Sequence, residues 1–254
     1  MRSVRQNKKL MKIFTFIHNF LIFIIKPSFY REHASVSTKV INSLILLILN
    51  LLIATIVIFL SLHFFNFKNS PSFTPIPYST NSLLFFLAIL LIGPLVEELT
   101  FRLPLIYSKL NICIFLSLLF SIIFKCFYQL DFPQTFPGSK TILGGLIIFP
   151  FLYLIFFSSQ KVSNFFQLFY KKWNAFIFYV FVFAFAIFHL TNFKSLTIAS
   201  LPLAFFTATT DKLLGGFTLS FLRIKYGIIY SILFHCLHNF CGLYFMKYLI
   251  FYFA

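Results

Sequence analysis

Gly93-Pro94-Leu95-Val96-Glu97-Glu98-Leu99-Thr100-Phe101-Arg102 sets two adjacent carboxylates at the end of a long apolar run, with an arginine four residues after the second. The chain has only five acidic residues, and two of them are here. A carboxylate at membrane depth is costly and marks a functional site by default. On a helix, Glu98 and Arg102 are i, i+4 and share a face in the favourable acid-before-base order. Glu97 is one residue earlier and so rotated by about 100°. The spacing therefore predicts that Glu98 is the structural partner of Arg102 and that Glu97 is free to face a cavity. The plainer alternative is a pair of glutamates capping a helix end at the membrane interface.

Composition decides what surrounds that stretch. Of 254 residues, 60% are hydrophobic and 10% charged, and the mean hydropathy is +0.93. Soluble domains carry about a quarter charged residues. The long apolar runs predict an all-α, polytopic transmembrane helical bundle. The net charge of +16 is then no sign of a nucleic-acid partner, because the basic residues sit in short loops and at the N-terminus, where they set membrane orientation. The partners that composition implies are membrane lipids. The 42 Phe read as lipid-facing filler. Cys113, Cys126, Cys236 and Cys241 lie in or beside apolar runs without CxxC spacing and read as small core hydrophobes.

Two regions are expected. Residues 1–39 form a basic N-terminal segment with a short apolar helix, Ile13–Ile25, too short to span comfortably and read as interfacial or re-entrant. Lys26-Pro27 follows it, with no small-residue cleavage site of a signal peptide. Residues 40–254 form the membrane domain, with seven spans: Val40–Phe65, Ser82–Phe101, Ile112–Phe127, Ile142–Phe157, Trp173–Leu190, Ser195–Leu222 and Gly227–Phe245. Asn66–Asn81 and Gln129–Lys140 are loops rich in breakers. The sixth span is interrupted by Thr209-Thr210-Asp211-Lys212 and Gly215-Gly216, and reads as one bent helix or two half-helices. Lys and Arg concentrate on the side of the N-terminus, which predicts a cytoplasmic N-terminus in a bacterial-type membrane.

Three further polar groups lie inside these spans. His189 ends Phe185-Ala186-Ile187-Phe188-His189. His235 and Asn239 are i, i+4 in His235-Cys236-Leu237-His238-Asn239 and share a face, with His238 displaced to one side. One such group could be inter-helix glue. Glutamates, histidines and an asparagine on three separate spans point instead to chemistry. A carboxylate can deprotonate a water, and imidazoles and a carboxamide can donate to an oxyanion. No GxSxG and no HExxH is present, so neither a serine nucleophile nor the familiar zinc helix is indicated. A Glu and two His can still hold zinc. Depth constrains the assembly: at about 1.5 Å per residue, His235 lies roughly 12 Å into its span and His189 roughly 24 Å into its own. The span from Trp173 must tilt or begin outside the core for them to meet.

Glu97-Glu98-Leu99-Thr100-Phe101-Arg102 fits EExxxR, Phe185 to His189 fits FxxxH, and His235 to Asn239 fits HxxxN. In this order, on separate spans, they resemble the CAAX protease and bacteriocin-processing family of intramembrane endopeptidases, also called the Abi family, over roughly Ser82 to Phe245. The resemblance implies peptide-bond hydrolysis in the membrane, and with it a peptide or protein substrate. It implies that Glu97 activates the water, that Glu98 and Arg102 orient the site, that His189 positions or transfers a proton, and that His235 and Asn239 form the oxyanion hole. It implies no cofactor, the alternative being zinc held by Glu97, His189 and His235. The chain departs from the pattern in Leu103-Pro104, where a glycine commonly follows the arginine, in two extra apparent spans between Glu97 and His189, and in the charged Asp211-Lys212. The competing expectation is a non-catalytic membrane protein of the same fold, either a bacteriocin immunity-type binder or a proton-coupled transporter.

Overall fold

The computed structural model describes residues 2–64, 86–128, 139–192 and 201–253, and its regular structure there is entirely helical. The expected loop Asn66–Asn81, most of Gln129–Lys140 and the first residues of the second and sixth expected spans lie outside the described residues. Eight α-helices are present among them: α1 (Arg2–Ile25), α2 (Val36–Phe64), α3 (Gly93–Phe101), α4 (Lys109–Tyr128), α5 (Ser139–Ser158), α6 (Gln160–Phe188), α7 (Leu201–Lys225) and α8 (Ile228–Phe253). Short polar side chains start several of them. Ser35 Oγ accepts from Thr38 N ahead of α2, Ser108 Oγ from Asn111 N at α4, and Ser159 Oγ from Val162 N at α6, each satisfying a backbone donor that the first turn leaves free.

Helix α7 is the centre of the bundle and packs against α6, α2 and α8. It runs unbroken through Asp211-Lys212 and Gly215-Gly216, so the alternative of two half-helices is corrected. Gly216 makes the α6 seam close: a Cβ there would stand 3.2 Å from Val182 Cγ1. Asn50 of α2, fully buried, donates through Nδ2 to Leu46 O and to Thr218 Oγ1 of α7. At the end of α7, Gly227 adopts φ of +111° and its N–H bonds Leu222 O, the left-handed turn that glycine takes without strain. That turn brings α8 back along α7.

Helix α1 is longer than the apolar stretch predicted, because the basic residues before Ile13 are helical too. One face is core. Phe20 and Phe23 are buried edge-to-face against Phe221 of α7. Met11, Phe14, Leu21, Ile22 and Ile25 on the other face are exposed. The linker after α1 is pinned to the end of α7. Glu32 N–H bonds Lys225 O, Arg31 Nη2 donates to Tyr226 O, and Lys225 Nζ donates to Ser28 Oγ and lies 3.3 Å from the Tyr30 ring centroid. Tyr226 OH accepts from Asn42 Nδ2, and burial pushes its phenol up to about 12. The reading of phenylalanine as lipid-facing filler is corrected in part: Phe20, Phe23, Phe178, Phe185 and Phe221 are core residues, joined largely by edge-to-face contacts that add to their area burial.

The outer surface is apolar. Ile48, Leu52, Ile56 and Phe59 of α2 are 55–66% exposed, and Leu143, Leu146, Ile147, Phe151 and Leu154 of α5 are 63–68% exposed. Among the described residues two helical stretches are long and apolar enough to cross a membrane, Val36–Val57 and Gln160–Phe188. Leu10–Ile25, Lys109–Ile123, Leu143–Ser158 and Ile228–Leu243 are shorter apolar helices. The fifth expected span, from Trp173, proves to be the second part of α6. That helix begins at Gln160 and carries non-helical dihedrals at Trp173 (φ −116°, ψ 21°). Gln160 to Lys172, before that kink, holds three lysines and is helical as well.

Candidate active site

The two glutamates lie on α3, which follows a π-helical stretch, Ala88–Ile92. Pro94, in the first turn of α3, has no N–H to donate, so it suits a helix start. Wide turns of this kind recur beside functional sites. Here the Ile89 carbonyl takes an N–H from Asn239 Nδ2 of α8 at 3.5 Å.

Glu98 is fully buried. His235 Nδ1 lies 2.9 Å from Glu98 Oε1, and Ser231 Oγ donates to Glu98 Oε2 in a short hydrogen bond. Ser231 is one turn before His235 on α8, so a single helix face delivers both partners. Arg102 Nη1 is farther, 3.6 Å from Glu98 Oε1. The guanidinium makes no hydrogen bond among the described residues. It lies instead over Phe185, 3.6 Å from the ring centroid, a cation–π contact that is strongest when desolvated. The expected Glu98–Arg102 pairing thus exists as an ion pair, while the hydrogen bonds of Glu98 go to His235 and Ser231.

Glu97 points elsewhere, as the rotation between neighbouring helical residues requires. Its Oε2 lies 3.8 Å from His189 Nε2 and 3.6 Å from His235 Nε2. His189 caps the end of α6, and its Nδ1 contacts Phe185 O at 2.8 Å. A carbonyl only accepts, so Nδ1 of His189 carries the hydrogen. The Glu98 carboxylate likewise assigns a hydrogen to Nδ1 of His235. Each neutral imidazole therefore turns a lone pair, at Nε2, toward a carboxylate oxygen that is also an acceptor. Three acceptors converge from three helices. A proton on an imidazole, or a water between them, reconciles the arrangement.

Glu97, His189, His235 and Asn239 line one cavity with Phe185, Asp211, Lys212, Gly215, Leu219, Phe234 and His238. It offers about 50 Å³ to the centres of water-sized molecules, where one water requires about 10–15 Å³. Glu97, His189, His235 and Asn239 are all in this site, with Glu98 and Arg102 behind it. His189 and His235 do meet, each within 4 Å of the Glu97 carboxylate, and α6 begins 13 residues before Trp173. Sequence reasoning missed Ser231 and the stacking role of Phe185. Ser231 stands four residues before His235 on the same face of α8, and Phe185 is the first residue of FxxxH, but neither residue type marks itself as functional in an apolar helix. Among the described residues no group of three or more His, Cys, Asp or Glu is arranged to hold a metal ion. Ser231 bonds Glu98 rather than an imidazole, so it is not placed as a nucleophile.

Comparison with protein-family models, curated proteins and solved structures returns no match.

Proposed function

We propose that the chain is an intramembrane endopeptidase of the CAAX-protease and bacteriocin-processing kind its motifs resemble. In this reading the seven apolar segments cross a bacterial-type membrane, with the N-terminus cytoplasmic. The exposed apolar faces of α2 and α5 and the basic residues near the N-terminus support that placement. The observation that carries the function is the convergence of Glu97 Oε2 on His189 Nε2 and His235 Nε2, at 3.8 and 3.6 Å, beside Asn239 in a cavity large enough for water.

The chemistry follows from those positions. Glu97 takes a proton from a water held against the two imidazoles, and the water oxygen attacks the peptide carbonyl. His235, carrying a proton on Nε2 and paired through Nδ1 with Glu98, donates to the developing oxyanion together with Asn239 Nδ2. His189 takes at Nε2 the proton that Glu97 removed from the water and passes it to the departing amine as the carbon–nitrogen bond breaks. Glu98 and Arg102 are positioning residues: one holds His235, the other balances the buried charge while resting on Phe185.

The test is Glu97→Gln in proteoliposomes with a quenched-fluorescent peptide library. Loss of a general base costs about 10²–10⁴-fold, so cleavage should fall by that factor, with helicity and elution volume unchanged. Undiminished turnover would refute the base assignment. Proton flux without a peptide product in the same vesicles would replace hydrolysis by transport.

A further inference from the structure

One side of the cavity carries charge that the hydrolytic steps leave unused. Asp211 and Lys212 are consecutive residues in the middle of α7, and Lys212 Nζ lies 2.7 Å from Asp211 Oδ2. Neighbours in a helix point about 100° apart, so this pair forms only because the lysine folds back along the helix. Both side chains line the same cavity as Glu97. They are partly accessible, 31% for Lys212 and 19% for Asp211.

An ion pair inside an apolar bundle is expensive to desolvate and is weak support for a fold. Both members of this one are on α7, so the contact between them does not tie two helices together. It does fix an ammonium group at the wall of the cavity. Of the three N–H bonds of Lys212, the contact with Asp211 occupies one. The other two have no partner among the described residues, and they belong to a group that reaches the cavity. His238, on the opposing helix α8, also lines the cavity, and its Nε2 is buried without a hydrogen-bond partner.

Space is provided at the same place. Gly215 is i+4 from Asp211 and i+3 from Lys212, so it lies on their face of α7. A Cβ at Gly215 would meet nothing within 4 Å. Its neighbour Gly216 is different, tight against Val182. The pair of glycines thus divides into one that lets α6 approach and one that leaves room beside the ammonium.

We propose that Lys212, held by Asp211 and facing the room left by Gly215, is a subsite for a carboxylate of the bound peptide. The inference rests on the cavity being where the substrate lies. The carboxylate comes either from a free C-terminus or from an Asp or Glu side chain near the scissile bond. It takes N–H bonds from Lys212, in the charge-assisted form that is stronger than a neutral bond.

The experiment uses the Glu97→Gln chain, so that peptides bind without being cut. Three dansylated hexapeptides of one apolar sequence are compared by fluorescence anisotropy in detergent micelles: one with a free C-terminus, one C-amidated, and one C-amidated with an internal aspartate. At least one carboxylate peptide should bind about tenfold or more tightly than the plain amide, the size expected of a charge-assisted hydrogen bond, and which one does identifies the source. The preference should vanish when Asp211→Asn and Lys212→Gln are combined, which removes the pair without leaving a lone buried charge. It should survive Lys212→Arg. Gly215→Val should weaken the favoured peptide by filling the room beside the lysine. Equal binding of all three peptides to the chain with Lys212 intact, or a preference that persists in the double variant, would overturn the proposal. If the preference holds but the unaltered chain cuts no peptide, the subsite stands and the hydrolytic reading falls.

Discussion

Glu98→Gln tests the site through the one carboxylate among the described residues that touches no solvent. The change keeps the shape of the side chain and removes its charge. The Arg102 guanidinium leans on that charge, and so does His235 in the doubly protonated form that the proposed oxyanion role requires. At an effective dielectric constant near 20, a unit charge 3.6 Å away, the Arg102 distance, is attracted by about 4–5 kcal/mol. At 2.9 Å, the His235 distance, the same expression gives about 5–6 kcal/mol for an imidazolium. Gln can accept the Nδ1 hydrogen but cannot balance a proton on Nε2. His235 then turns a bare lone pair toward Glu97 and ceases to donate to the oxyanion. Removing one such donor costs about 10²–10³ in kcat, and that is the expected loss, read with a quenched-fluorescent peptide in proteoliposomes. Arg102 keeps its contacts with the Phe185 and Phe101 rings but loses its ion pair, so chemical unfolding in detergent should show a stability loss of about 3–5 kcal/mol, the range for a broken buried pair. Glu98→Asp keeps the charge and should recover part of both. A Glu98→Gln chain that retains kcat within tenfold of the original would show that the Glu98–His235 contact does not prepare the oxyanion donor.

Three further outcomes are expected. Ser231→Ala removes one hydrogen bond to a buried carboxylate that keeps His235 and Arg102, so stability should fall by about 1.5–3 kcal/mol and kcat by much less than in Glu98→Gln; equal losses would make Ser231 a catalytic group. The paired glycines should respond oppositely in denaturation: Gly216→Ala should destabilise by about 1 kcal/mol through the 3.2 Å approach to Val182 Cγ1, while Gly215→Ala, with open space beside it, should stabilise by about 0.5–1 kcal/mol from helix propensity. The reverse order would contradict the packing described. Strong zinc chelators should leave cleavage unchanged; activity lost to a chelator and restored by zinc would assign the lone pairs of Glu97, His189 and His235 to a metal.

How far the sequence reached depends on which physical signal each residue carries. Carboxylates and imidazoles inside apolar runs stand out because their burial is costly, and the helical repeat alone separates the faces of Glu97 and Glu98. Ser231 gives no such signal, since a serine in an apolar helix can bond its own backbone and cost little. Phe185 is hidden among 42 phenylalanines. Its contact with Arg102 depends on α3 meeting α6 and not on spacing within either. The start of the fifth span at Trp173 coincides with the non-helical dihedrals inside α6; Gln160 to Lys172, with its three lysines, is helical as well, since a helix can hold lysines on a face that meets headgroups and water. Gly215-Gly216 looked like a break because glycine weakens an isolated helix. In the bundle, Gly216 instead permits the close approach of α6, and that packing holds α7 straight through Asp211 and Lys212. The same continuity keeps the ammonium group at the cavity wall. A break at those glycines would have freed Lys212 to swing away from Glu97, and the charged pair would then have had no fixed relation to the site.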